Sequence, residues 1–207
     1  MAESPQWHLL AGKAAAITGG TTGIGRAIAL EYIRHGCNVA VNHLGLESDI
    51  EHKESLLAEA EKVKSEDSDA GRVDRGARLD HDLFSSTVRI NLNGAFYSCQ
   101  AAARQMARQG YGGSIIGISS ISALVGGGLQ THYTPTKAGV LSLMQSMAVA
   151  LGKYQIRCNA LLPGTIRTRL NEEALSNEEK RRYTESRIPL ERMGEPKDLA
   201  GPAVFAR

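Results

Sequence analysis

The feature that most constrains this chain is a glycine cluster set between two short apolar runs. Ala14-Ala15-Ala16-Ile17-Thr18 leads into Gly19-Gly20-Thr21-Thr22-Gly23-Ile24-Gly25. A helical pattern through Ile24, Ala27, Ile28 and Ile33 follows, then Gly36 and a second apolar run, Asn38-Val39-Ala40-Val41-Asn42. Strand, glycine turn, helix, glycine, strand is the outline of a βαβ unit, which forces parallel pairing with a helix across one face. Glycines in such a turn let the backbone approach a pyrophosphate held at the positive end of the helix. Thr18, Gly19, Thr22, Gly23, Ile24 and Gly25 are therefore candidate cofactor-binding residues. Their spacing is G-x-x-x-G-x-G rather than the more familiar G-x-G-x-x-G.

The rest of the chain repeats the alternation. Ser85–Arg108 has apolar residues at helical spacing (Val88, Leu92, Ala95, Phe96, Cys99), ended by Gly112-Gly113. Ser114–Ile118 is a buried-strand run, His132–Leu151 a helix, and Ile156–Leu162 a strand ended by Pro163-Gly164. The polar stretch Thr165–Asp198 predicts a lid or binding loop. Together these predict one α/β domain over 1–207, a Rossmann-like doubly wound parallel sheet with helices on both faces.

Charge and cysteine usage limit the function classes. A balance of 24 Lys+Arg against 22 Asp+Glu leaves no basic footprint for nucleic acid. No apolar run is long enough for a membrane span, and no signal peptide is apparent, so a cytoplasmic location is expected. Cys37, Cys99 and Cys158 lie far apart and without metal-ligand spacing; they predict reduced thiols and no metal site.

Two further segments carry chemistry. Tyr133-Thr134-Pro135-Thr136-Lys137 places a phenol and an ammonium one helical turn apart, with Ser120 thirteen residues before the tyrosine. A nearby cation lowers a phenol pKa from about 10 toward the range of a useful base. Ser120 can then hold the reacting oxygen. Taken alone, Tyr-x-x-x-Lys is common on helices; joined to Ser120 and the glycine turn it is specific. After the second strand, Asn42 and His43 stand where folds selective for NAD place an acid. NADP is permitted and NAD is not excluded.

On these residues the chain resembles the short-chain dehydrogenase/reductase family. Thr18-Gly19-x-x-x-Gly23-x-Gly25 matches that family's cofactor motif, Ser120, Tyr133 and Lys137 its catalytic residues, and Pro163-Gly164 its post-strand turn. The resemblance implies that Asn91 supports a proton-relay water. It also implies that Lys137 binds the nicotinamide ribose and that Ile166 and Thr168 contact the carboxamide. Gly113–Gly127 and Thr131–Gly139 resemble sugar-oxidising members more than acyl-carrier reductases. The implied reaction is oxidation of the anomeric hydroxyl of an aldose such as L-rhamnose to its lactone, with NADP or NAD. The alternatives are a 3-oxoacyl-thioester reductase, or an inactive truncated relative acting only as an interaction partner. Homodimers or homotetramers are implied as well.

The chain departs from that pattern between Asn42 and Asn91. A third strand, a helix and a fourth strand are missing, with a segment around 76–82 in their place, and the chain stops in what should be a further helix. The shortfall is about 50 residues against usual Rossmann halves. An incomplete sheet is expected, with the Ala14–Thr18 and Ser114–Ile118 strands either paired directly or left with open edges.

Overall fold

The structure, a computed structural model, describes residues 8–20, 23–42, 81–168 and 175–206, apart from the side chains of 41 and 42. Thr22, His43 and the charged segment before residue 81 lie outside the described residues. Strand β1 (Ala14–Thr18), helix α1 (Gly23–Arg34) and strand β2 (Asn38–Asn42) form the expected βαβ unit. The two strands pair in parallel from Ala14 opposite Asn38 to Thr18 opposite Asn42. Then come α2 (His81–Thr87), a π-helical segment (Val88–Asn93), α3 (Gly94–Gln109) and β3 (Gly113–Ile118). After these follow α4 (Thr134–Leu151), β4 (Ile156–Leu161), α5 (Glu178–Ser186) and α6 (Ala200–Phe205). β4 pairs with β3 in parallel, from Gly113 opposite Ile156 to Ile118 opposite Leu161.

Among the described residues four strands form two two-stranded sheets, β1-β2 and β3-β4, and β1 is not paired with β3. The consequence is visible on β1, where Ala15 and Ile17 are half-buried while Ala14, Ala16 and Thr18 are exposed. A central strand of a parallel sheet is covered on both faces; here one face meets solvent. The apolar core nevertheless joins the halves. Leu10, Ile28, Tyr32 and Cys37 pack with Ala203 and Val204 of α6, and Ile17, Val39, Ile118 and Leu161 lie against this cluster. The Tyr32 hydroxyl donates to the Ala203 carbonyl at 3.0 Å, so the buried phenol is satisfied.

A second core lies between β3-β4 and the helices α3 and α4, built on Ala103, Ile115, Met144 and Ile156. Here Gly117 is required, because a Cβ would stand 2.7 Å from Cγ of Met144. Helix α3 stops at Gly110, whose φ of +77° closes a left-handed cap with its N–H bonded to the Met106 carbonyl. All three cysteines are free, as expected.

Two elements differ from expectation. The single helix predicted over Ser85–Arg108 is interrupted by the π-helical turn at Val88–Asn93, where the N–H of Gly94 reaches back to the Arg89 carbonyl. The stretch Thr165–Asp198 is not wholly a loop, for it contains α5. That helix is polar throughout. Its support comes from Asn177, which accepts from the Lys180 N–H at 3.0 Å, and from Glu178, which bonds Arg182 at 2.9 Å. Among the described residues no helix is long and apolar enough to cross a membrane.

Candidate active site

The glycine turn places two residues in left-handed backbone, Gly19 at φ +63° and Gly23 at φ +51°, the latter opening α1. A Cβ on Gly25 would collide with the Gly19 carbonyl oxygen, so the turn is tight against its own helix. A Cβ on Gly19 would meet nothing within 4 Å. Gly19 and Gly23 thus give the turn the backbone freedom to approach a pyrophosphate beside the N-terminus of α1. Residues and group fit.

Around the C-terminal end of β3 the structure brings Asn91, Ser120, Tyr133 and Lys137 together. Ser120 is buried and caps the turn Ile121–Ala123, its Oγ accepting from the Ser122 N–H at 3.1 Å. The Ser120 hydroxyl also acts on Tyr133, the residue that leads into α4, in the sense that favours the phenolate. Lys137 stands one turn on, its Nζ 5.5 Å from the Tyr133 ring centroid. That ammonium donates to the Ile118 carbonyl at 3.1 Å, and Ser119 Oγ donates to the Lys137 carbonyl at 2.7 Å. Helix α4 is thereby tied to the strand end. Asn91 lies in the π-helical segment, and its Nδ2 donates to Thr136 Oγ1 at 3.1 Å.

The loop after β4 links this cluster to the glycine turn. Pro163 accepts from the Ile121 N–H at 2.9 Å. Further along, Thr168 Cγ2 lies 3.5 Å from where a Gly23 Cβ would be. Ile166 is buried and bridges to Gly194, with the Arg167 N–H bonded to the Gly194 carbonyl at 2.8 Å. Thr18 ends β1 beside the turn, and Ile24 packs on the first core. Asn42 ends β2, while its side chain lies outside the described residues, as do Thr22 and His43. Among the described residues no group of side chains could hold a metal ion.

Burial holds the Tyr133 phenol above its ordinary value, and only the Ser120 hydrogen bond acts the other way. Burial likewise lowers the Lys137 amine. Sequence reasoning did not single out Ser119 or Thr136. Thr136 was inside the motif, but its bonding partner is 45 residues away.

A family model described as enoyl-(acyl carrier protein) reductase matches residues 68–206. An L-rhamnose-1-dehydrogenase of Scheffersomyces stipitis is 54% identical over 230 residues, covering 95% of this chain and 89% of the relative. That aligned stretch is longer than the 207 residues present here, so the relative carries internal residues without a counterpart in this chain. An L-rhamnose 1-dehydrogenase (NAD(P)(+)) of Sphingomonas sp. is 48% identical, with 95% and 89% covered. Among solved structures, a short-chain type dehydrogenase/reductase from Mycobacterium marinum superposes with a TM-score of 0.75 at 30% identity. It covers 97% of this chain and 90% of that one.

Proposed function

The chain belongs to the short-chain dehydrogenase/reductase family, and from that premise we propose that it oxidises the anomeric hydroxyl of an aldose, L-rhamnose foremost, to the lactone with NADP or NAD. The observation that carries the chemistry is Lys137 Nζ 5.5 Å from the Tyr133 ring, one helical turn on, with buried Ser120 at the end of the same strand and the glycine turn opening α1. The substrate comes from the two L-rhamnose dehydrogenases at 54% and 48% identity. The loop from Ser120 to Tyr133 suits such a sugar. It holds a polar pair, Ser122 Oγ donating to Gln130 Oε1 at 3.1 Å, and exposed Leu124, Val125 and Leu129. A 6-deoxy aldose presents both hydroxyls and a methyl group.

When bound, the oxidised nicotinamide supplies the acceptor for the hydride that leaves C1. Thr18, Gly19, Thr22, Gly23, Ile24 and Gly25 would hold its pyrophosphate side, Asn42 and His43 would meet the adenosine ribose, and Ile166 and Thr168 would contact the carboxamide. Tyr133 Oη takes the proton of the anomeric hydroxyl, Ser120 Oγ orients that oxygen, and Lys137 binds the nicotinamide ribose. Asn91 supports the water through which the proton leaves. A lactol is already at the aldehyde oxidation level, so loss of one proton and one hydride gives the lactone directly.

The assay that tests this follows NAD(P)H appearing with L-rhamnose and NADPH disappearing with an acetoacetyl thioester. Reduced cofactor should form only with the sugar. Thioester reduction without sugar oxidation would replace this reading by that of a 3-oxoacyl reductase. No response to either, with no rise in melting midpoint on adding NADP, would leave an inactive relative.

Assembly follows from the same helices. Phe84, Ile90 and Tyr97 along α2–α3 and Val149 on α4 are exposed, Val149 by 87%, which is costly for a monomer in water. These faces pack against a second copy to give a homodimer or homotetramer. Light scattering at micromolar concentration should report a multimer, and a well-folded monomer would contradict it.

A further inference from the structure

We infer that Thr136 is a positioning residue, which sets the place of Tyr133 by bridging the π-helical segment to the first turn of α4. The inference rests on the reading of Tyr133 as the base. Thr136 is 1% exposed, among the most buried side chains of the described residues. Its hydroxyl is used in both senses. Oγ1 accepts from Asn91 Nδ2 at 3.1 Å and donates to the Tyr133 carbonyl at 2.7 Å. A buried hydroxyl committed in this way has few alternatives, and removing it orphans the Asn91 amide.

The geometry around it has little slack. A Cβ on Gly139 would stand 2.9 Å from Leu92 Cδ1, so α4 and the π-helical segment approach as closely as a glycine allows. The π turn is itself an irregular register, with Gly94 bonded to Arg89, and such turns concentrate at functional sites. Asn91 is thus held in place by Thr136, and Tyr133 is held by the same hydroxyl through its backbone. Tyr133 precedes α4 and has no side-chain cap of its own. The neighbouring ties, Ser119 to the Lys137 carbonyl and Lys137 to the Ile118 carbonyl, fix Lys137, while the Tyr133 carbonyl takes the Thr136 hydroxyl beside the N–H groups of Thr136 and Lys137.

The test compares Thr136→Ala, Thr136→Ser, Asn91→Ala and the Asn91→Ala/Thr136→Ala double variant. One readout is steady-state kinetics with L-rhamnose. The other is the titration of Tyr133, read as phenolate absorbance lost in Tyr133→Phe. Thr136→Ala should lower kcat by up to about 100-fold with KM little changed, the scale of a small misplacement of a reacting group. It should also bring the Tyr133 titration down toward its ordinary value, because a loosened phenol regains water. Thr136→Ser should restore both readouts. The Asn91–Thr136 bond is lost in both single variants, so the double variant should lose less than the product of the two single losses. Wild-type kcat and titration in Thr136→Ala, equal damage in Thr136→Ser, or multiplying losses in the double variant would each overturn the inference. If Thr136→Ala does not fold, Asn91→Ala must shift the titration the same way. If the wild-type chain does not oxidise L-rhamnose, the proposed function fails while the titration still decides the role of Thr136.

Discussion

Tyr133→Phe should reduce L-rhamnose oxidation by about 10²–10⁴-fold, the usual cost of losing a positioned general base, while cofactor affinity stays close to wild type. The substitution removes one oxygen and keeps the ring, so packing at the start of α4 is preserved. What disappears is the proposed acceptor for the anomeric proton. Stopped assays for turnover and a cofactor-induced shift in melting midpoint separate the two effects. Turnover at the wild-type rate would remove Tyr133 from the mechanism.

Lys137→Ala should be damaging in two ways, lowering turnover and weakening cofactor binding together. The side chain does three things at once. It donates to the Ile118 carbonyl, lies 5.5 Å from the Tyr133 ring, and carries a positive charge one helical turn from the phenol. Burial raises the Tyr133 phenol and lowers the Lys137 amine, so each group is pushed toward its neutral form. Oxidation needs the opposite pair, a phenolate beside an ammonium. The sign of the pH dependence follows. Activity should rise with pH as the phenol is released of its proton, and fall again once the amine loses its own. With the cofactor-free phenol above its ordinary value, the positive charge of an oxidised nicotinamide is the added influence that widens this window. An alkaline-leaning bell is therefore expected for wild type. In Lys137→Ala its rising limb should move to higher pH, as seen in kcat measured across pH. An unchanged limb would show that the ammonium does not act on the phenol.

The parts of this site that were readable in the sequence are those whose meaning is local. Gly19, Gly23 and Gly25 speak through their spacing, because a tight turn into a helix restricts backbone within a few residues. Tyr133 and Lys137 speak through a helical period, and Ser120 through its place after a strand. Thr136 was silent, since its function is a contact with Asn91 across 45 residues. The π turn at Val88–Asn93 was silent for a different reason. Its apolar residues continue the helical stripe, and one residue of extra winding leaves no mark in such a short window. Helix α5 was read as loop because it lacks an apolar face; capping and ion pairs sustain it instead.

The separation of the sheet into halves was foreseeable only as a pair of outcomes. The missing residues between Asn42 and Asn91 left β1 and β3 without a shared neighbour, and sequence alone allowed either direct pairing or open edges. Among the described residues β1 and β3 are not paired, and Ala14, Ala16 and Thr18 are exposed on β1. The apolar residues Ile17, Ile118 and Leu161 still gather on the cluster built with α6. Packing through that cluster, rather than a continuous hydrogen-bonded ladder, holds the glycine turn near the Ser120–Tyr133–Lys137 end.

The most direct test of the account uses L-rhamnose carrying deuterium at C1, incubated with this chain and oxidised NADP or NAD. Hydride leaving C1 for the nicotinamide predicts deuterium in the reduced cofactor, one per lactone formed, and a slower rate than with unlabelled sugar if that transfer limits turnover. Reduced cofactor without deuterium, or lactone formed with the label lost to water, would contradict the claim that this chain oxidises an aldose at its anomeric carbon.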